Sequence, residues 1–246
     1  MRRRTALVGL GAILTSACSK IANTATARQI FQTSESWHEW MHRRLAGREL
    51  LAPEYQKSDI SPVFRGNGST TVNTAFYKQQ LDNGFADWKL EVCGLVNNPI
   101  TLTLAELHAL PQRTQITRHD CVEGWSAIGE WKGPRLSTIL NKAAVRSDAN
   151  FIVFHCADSI YGKEYYESID MIDAFHEQTI IAHELNGQPL PEENGAPLRM
   201  RIERQIGYKH PKYLTRIEAV ASLEEVHGGQ GGYWEDNYGY QWYAGL

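Results

Sequence analysis

The sequence predicts an α+β fold: a single domain on a mixed or antiparallel sheet, preceded by an amphipathic helix. Three observations point there. Runs with strand character recur along the chain, such as DWKLEV at 87–92 and FIVF at 151–154. Short helical segments lie between them without a regular strand–helix–strand alternation. Finally, 7 Trp, 11 Tyr and 7 Phe among 246 residues supply ample core and exclude disorder along the whole chain. No apolar run approaches the roughly 18 residues of a membrane span. The formal net charge of −3 argues against a general nucleic-acid binder, which is usually basic.

The first 17 residues read as an export signal. Met1 is followed by three arginines and then by the short apolar stretch Ala6–Leu14. Arg3-Arg4-Thr5-Ala6-Leu7 fits a loose twin-arginine pattern, which predicts a periplasmic or otherwise exported protein. That route carries folded proteins, so it also points toward a cofactor inserted before export. Thr15-Ser16-Ala17-Cys18 resembles the end of a lipoprotein signal and makes Cys18 a candidate lipid anchor; Ala25-Thr26-Ala27 is the alternative cleavage site. Residues 18–59 read as a linker and N-terminal helix. Ser36 and Glu39 have capping-box spacing, and Trp37, Trp40, Met41 and Leu45 share one helical face, with Arg43, Arg44 and Arg48 read as largely away from it. Docking on the main domain is the favoured role for that face, ahead of binding a membrane surface.

The main domain spans 60–246. Residues 52–72 are rich in Pro, Gly, Ser and Asn and read as an irregular loop. Strands are expected at 87–92 and 115–122, both alternating, and at 151–154, continuously apolar and hence buried. Later strands are expected at 197–202 and 213–221. Thr103 is placed to cap a short helix over 104–110, and a second helix spans 136–145. Gly228–Gly232 reads as a hinge, and the tail 231–246, dense in Tyr and Trp, as a clamp over the domain.

Chemistry concentrates at 117–126, TRHDCVEGWS. On a strand, Thr117, His119 and Cys121 project to one face. Gly124 permits a sharp turn just beyond. Cys121 therefore ends a strand beside a histidine and enters a loop, where functional sites are commonly built. The residue types leave three roles open: a nucleophile, a soft-metal ligand or a packed core cysteine. Structural zinc is disfavoured. His119-x-Cys121 and the adjacent His155-Cys156 do not supply close ligand pairs, and no Cys-x-x-Cys is present. Hydrolase triads lack their local signatures.

A second cluster comprises ENGAPLR at 193–199 and QIGYKHPK at 205–212. Arg199, Lys209, His210 and Lys212 gather positive charge around Gly207, in a chain that is acidic overall. The arrangement suits a phosphate or pyrophosphate, or else an ordinary solvated hairpin.

Taken in order, CVEGWS at 121–126, FHCAD at 154–158, NGAPLR at 194–199 and GYKHPK at 207–212 resemble the sulfite-oxidase-type molybdopterin-binding domain. The resemblance runs from about Ile60 to the C-terminus. It is nearest the exported bacterial branch that includes the periplasmic methionine-sulfoxide reductase catalytic subunit. It implies one molybdenum held by the Cys121 thiolate and one pterin dithiolene. It implies cofactor contacts from Asn67, Cys156, Asn194 and Arg199, a loop of His210, Pro211 and Lys212 around the pterin phosphate, and Tyr165 facing the metal. His119, next to the metal ligand, is read either as a pterin contact or as a satisfied structural histidine.

The implied activity is two-electron, oxygen-atom-transfer chemistry on a small or side-chain substrate, S-oxide reductase-like. Electrons would be exchanged with a separate carrier, either a membrane haem protein or a cytochrome. Sulfite oxidation is the alternative within the family. Sulfite oxidases carry basic residues just after the ligand cysteine, whereas this chain has Glu123, which repels a dianion. The segment between Phe154 and Tyr165 is shorter than in the methionine-sulfoxide reductase, which implies a different pocket. Outside the family there remain an exported cofactor-free binding protein of the same fold and a thiol redox protein using Cys121 with Cys156 or Cys93.

Overall fold

The computed structural model describes residues 37–45 and 47–245. The export signal, Cys18 and Ser36 lie outside the described residues. The described residues through Gly47 and those from Arg48 onward belong to two separate units. In the first, 37–45 is helical as its periodicity predicts, and is designated α1. Among the described residues no helix is long and apolar enough to cross a membrane.

The second unit is α+β. In chain order it contains α2 (Ala75–Asp82), β1 (Lys89–Gly94), β2 (Ile100–Thr103), α3 (Leu104–Ala109), β3 (Gln112–Cys121), β4 (Trp125–Pro134), α4 (Leu136–Ala143), β5 (Phe151–Ile160), β6 (Lys163–Asp170), α5 (Met171–Ala174), β7 (Ile180–Ala182), β8 (Glu184–Leu185), β9 (Gln188–Pro189), β10 (Arg199–Arg201), β11 (Leu214–Val220) and α6 (Tyr233–Tyr238). The largest sheet has the order β2-β1-β11-β5-β6. Its β1–β11 pair is parallel and the others antiparallel, so the sheet is mixed. A second sheet runs β3-β4-β8-β9, and β10 pairs with β7.

Local chemistry explains several boundaries. Thr103 and Glu106 form a reciprocal capping box that starts α3, as the sequence indicates. Thr74 caps α2 through its side chain, a helix the loop-like composition of the preceding segment conceals. α4 ends at Ala144 in a left-handed conformation. β5 extends well past the apolar run at 151–154, because Cys156 and Asp158 continue its buried face. Residues 52–55, ahead of the predicted domain start, are part of the second unit: Tyr55 donates its amide to the Ile116 carbonyl, and Ala52 exchanges bonds with Gln178.

The core joins the inward faces of the large sheet to α2, α3 and α4. Trp88, Leu90, Val92, Ile152, Phe154 and Ile217 lie in one buried cluster with Leu136, Ile139 and Leu140. A smaller cluster under the β3–β4 hairpin holds Phe64, Trp131, Ile180 and Leu185. The site forms where this hairpin, the loops preceding α2 and β11, and the C-terminal tail come together.

Candidate active site

Cys121 is the last residue of β3, and Gly124 closes the turn into β4 in the left-handed region, where glycine carries no steric penalty. The long β3–β4 register, from Gln112↔Pro134 to Cys121↔Trp125, holds the thiol at the tip of a stiff hairpin. A solvent-open cavity lies at this tip. Its lining includes Cys121, Asn67, Tyr165, His210 and Lys212, all singled out from sequence. Burial pushes the Cys121 thiol up from its ordinary pKa, against the lowering effect of the Glu123 backbone amide. A soft metal cation at the sulfur would reverse that, since coordination deprotonates a thiol.

The other sequence candidates form the wall behind the lining. Arg199 is fully buried on β10 and donates to the Asn194 carbonyl at 3.0 Å. Its guanidinium lies over Trp131, which Arg201 also covers. Pro211 is buried and accepts the Met200 amide at 2.8 Å, which ties the 207–212 loop to β10. Cys156 is fully buried beside Tyr165 and Tyr233, and burial drives its thiol well up. It backs the site without lining the cavity.

His119 receives a hydrogen bond from Arg201 at Nδ1, 2.8 Å away. An arginine can only donate, so the proton of the neutral ring sits on Nε2. Burial, followed by Arg201, holds this histidine well below its ordinary pKa, in the neutral form that tautomer requires. His119 Nε2 points at Gly207, where a Cβ would stand 2.5 Å away, so the loop can approach this closely only without a side chain.

Three loops converge on Lys212. Its Nζ donates to the Glu193 carbonyl at 2.9 Å and to that of Ser69, and Tyr213 bonds the same Ser69 carbonyl at 2.8 Å. Burial, then Arg199, lowers Lys212 to about 7. Burial, then Arg201, lowers Arg199 to about 9. Among the described residues neither cation forms an ion pair, and the carboxylates nearby, Asp158 for Lys212 and Glu203 for Arg199, do not offset burial; an anionic ligand would reverse both shifts.

Several lining residues escaped the sequence reading. Asp158, on β5, is buried with Oδ1 unpartnered among the described residues, and burial raises it to about 6. Its place two residues after Cys156 on the same strand face was the available signal. Ser69, Ile160 and Tyr208 also line the cavity, and Trp234 reaches it from the tail. Tyr165 does line it, but its hydroxyl donates to the Tyr208 carbonyl at 2.8 Å.

The tail clamps the domain as its composition suggested. Lys209 Nζ lies 2.5 Å from Glu167 and 2.8 Å from Glu235 of α6, all fully buried. Burial opposes the Lys209 charge, but the two carboxylates outweigh it and raise the pKa. Trp242 donates to Ser168 at 2.8 Å, and the Tyr208 hydroxyl to Gln241 at 2.6 Å.

These residues fit a molybdopterin. Arg199 Nε and Nη2, His119 Nε2 and Asn67 Oδ1 are buried polar atoms with no hydrogen-bond partner among the described residues. Such groups are costly to bury unless a ligand satisfies them. Together with Lys212 and a thiol at the hairpin tip, they supply anion donors, polar contacts and a soft ligand.

Comparison with known proteins agrees. Residues 77–227 match the family described as the oxidoreductase molybdopterin binding domain. A protein of Azospira oryzae that bears the name protein-methionine-sulfoxide reductase subunit YedZ1 is 42% identical over 197 residues, covering 79% of this chain and 68% of that protein. The sulfane dehydrogenase SoxCD from Paracoccus pantotrophus shares the fold, with a TM-score of 0.51 at 24% identity over 58% of this chain and 41% of the SoxCD chain. The chain thus belongs to the oxidoreductase molybdopterin-binding family: it is a sulfite-oxidase-type enzyme whose cofactor is molybdenum-molybdopterin.

Proposed function

We propose that this chain is the catalytic subunit of an exported S-oxide reductase acting on a small or methionine-sulfoxide-like substrate. Electrons reach it from a separate carrier, a membrane haem protein or a soluble cytochrome. The observation that carries this reading is the solvent-facing part of the cavity. Val122 and Glu123 are exposed there, Ile160 and Trp234 half-buried, and none of them is cationic. The positive groups lie deeper, on the Arg199 and Lys212 wall. A neutral sulfoxide with an apolar body suits such an entrance. Dianionic sulfite would pass the Glu123 carboxylate, which is held by the Gly68 amide at 3.3 Å and Trp125 Nε1 at 3.0 Å.

When bound, the cofactor supplies two-electron oxygen-atom transfer, and the protein supplies binding, orientation and protons. Reducing a sulfoxide to a sulfide and water consumes two electrons and two protons. Asp158 Oδ1 is the atom placed to hold a proton at the cavity, because its carboxyl titrates near neutral pH. Tyr165 orients the Tyr208 loop through its carbonyl. The name of the Azospira relative supports the substrate class, and the N-terminal signal pattern supports export, with Cys18 as the membrane anchor.

The test uses molybdenum-loaded protein from a host that makes the cofactor. Expected is turnover of N-acetylmethionine sulfoxide with reduced viologen, lost in Cys121→Ser, and little oxidation of sulfite with ferricyanide. Sulfite turnover without sulfoxide turnover would overturn the substrate reading. Well-folded protein that retains neither metal nor pterin would leave a binding protein.

A further inference from the structure

The geometry points to a second metal site, separate from the molybdenum cofactor: we propose that His155, Glu164 and His227 bind a zinc-class divalent cation that ties the C-terminal hinge to the large sheet. The sequence places His155 next to Cys156, but on β5 the two face opposite ways. Cys156 turns toward the Tyr165 cluster, and His155 toward Glu164 at the start of β6 and His227 beyond β11. One donor atom from each of these three residues lies within 4.8 Å of the other two. His155 and Glu164 stand on the two strands of the β5–β6 hairpin, and the fold brings the sequence-distant His227 to them.

The surroundings orient the ligands. His155 Nε2 is 2.9 Å from Glu218 Oε2 on the neighbouring strand. A carboxylate accepting from one ring nitrogen leaves the other as a lone-pair donor and fixes the tautomer, the usual arrangement around a metal-ligating histidine. The remaining nitrogen, Nδ1, lies 3.9 Å from Glu164 Oε1. His227 adopts a left-handed backbone, φ 51, and its ring stacks on Tyr166 at 4.0 Å. Two imidazoles and a carboxylate, with one position left for water, form a donor set typical of zinc. Ligands on a tetrahedral zinc stand about 3.3 Å apart, and Glu164 and His227 are exposed, so both can move inward to close the remaining distance.

Arg216 opposes the cation. Its Nη2 lies within hydrogen-bond distance of both His155 nitrogens, 3.1 Å from Nδ1 and 3.2 Å from Nε2, so it competes with a cation for the Nδ1 lone pair. Its side chain is 41% exposed and 3.9 Å from Glu218, so it can swing toward solvent when a dication enters. Glu164 and Glu218 then balance the added charge. His227 directly precedes Gly228–Gly232, the hinge that leads to α6 and Trp234. A metal here would pin the root of the segment that reaches the catalytic cavity.

The test titrates tag-free, molybdenum-loaded protein with Co²⁺ and follows the visible bands of low-coordinate cobalt. One saturating equivalent is expected, displaced by Zn²⁺ and leaving the molybdenum content unchanged. His227→Ala and Glu164→Gln, both at exposed positions, should each weaken binding by about tenfold or more, and Glu218→Gln by about tenfold through the His155 tautomer. Absence of saturable binding, or binding unmoved by His227→Ala and Glu164→Gln, overturns the proposal.

Discussion

The apolar core and the wall behind Cys121 are comparably buried but follow opposite rules. In the core, Trp88, Leu90, Ile152 and Phe154 pack on one another, and the few polar atoms are paired: Trp88 Nε1 with the Leu214 carbonyl at 3.1 Å, the Tyr77 hydroxyl with that of Ala196 at 2.8 Å. In the wall, Arg199, Arg201, His119, His210 and Lys212 crowd together, with Glu203 as the carboxylate bound to Arg201. Burial and mutual repulsion depress Arg199, Lys212 and both histidines. The core stabilises the fold by removing apolar surface from water. The wall works against the free protein and is relieved by an anionic ligand. Residues serving the fold and residues serving the cofactor can therefore be separated by what their loss does to the free protein.

The largest contrast should come from two substitutions. Phe154→Ala empties a fully buried site and should cost about 3–5 kcal/mol of folding stability. Arg199→Met keeps the volume and removes a buried charge. Without cofactor it should leave stability near wild type or raise it. Its loss should appear instead as reduced molybdenum content after expression. Denaturant unfolding of cofactor-free protein, set beside metal analysis of loaded protein, reads both effects. If Arg199→Met unfolds the free protein as readily as Phe154→Ala does, the wall is structural and the contrast fails.

A smaller effect sharpens the comparison through pH. Lys212 titrates at about 7 in the fold against 10.5 ordinarily. Above pH 7 the unfolded chain therefore binds the extra proton, and the stability of the cofactor-free protein rises with pH. The Lys212 penalty is present in full below pH 7 and is relieved as pH climbs toward the unfolded value. The slope from this group approaches about 1.4 kcal/mol per pH unit. Buried thiols act in the opposite sense near and above about pH 8.5, so the clean window is about pH 7 to 8.5. Lys212→Met should remove that slope from thermal melts of cofactor-free protein. Parallel pH profiles for variant and wild type would show that Lys212 is not the strained group.

Much of this arrangement is legible in the sequence where local rules decide it. Thr103 with Glu106 announces a helix start, FIVF announces a buried strand, and the Cys121 segment ends a strand before a glycine turn. Legibility fails where long-range pairing decides. β4 carries Glu130 and Lys132 on its more open positions and reads as polar, yet its partner β3 fixes it as a strand through a ten-residue register. β6 holds Glu167 buried against Lys209, a pairing across 42 residues that no local pattern announces. The site divides the same way. Cys121 and Lys212 lie in recognisable motifs and line the cavity, whereas Trp234 belongs to a tail that the chain brings back from beyond a glycine hinge.

Trp234 gives the smallest and most discriminating prediction. It lines the cavity from α6, stacked against Tyr240 at 5.5 Å and beside Tyr238 at 5.1 Å. It is half-buried, lies outside the main core and the cationic wall, and packs only on the edge of the Cys156–Tyr233 cluster, so its removal should largely spare folding and cofactor retention. Trp234→Ala removes apolar contact that substrate and transition state share, which raises KM and leaves kcat nearly unchanged. A several-fold rise in KM is expected for an aryl or alkyl sulfoxide, with Trp234→Phe recovering most of it and molybdenum content unchanged. A collapse of kcat at normal metal content would instead place the tail in the reacting geometry. The division between a fold-bearing core and a cofactor-bearing wall would then need a third member, supplied by the clamp that Lys209, Glu167 and Glu235 hold in place.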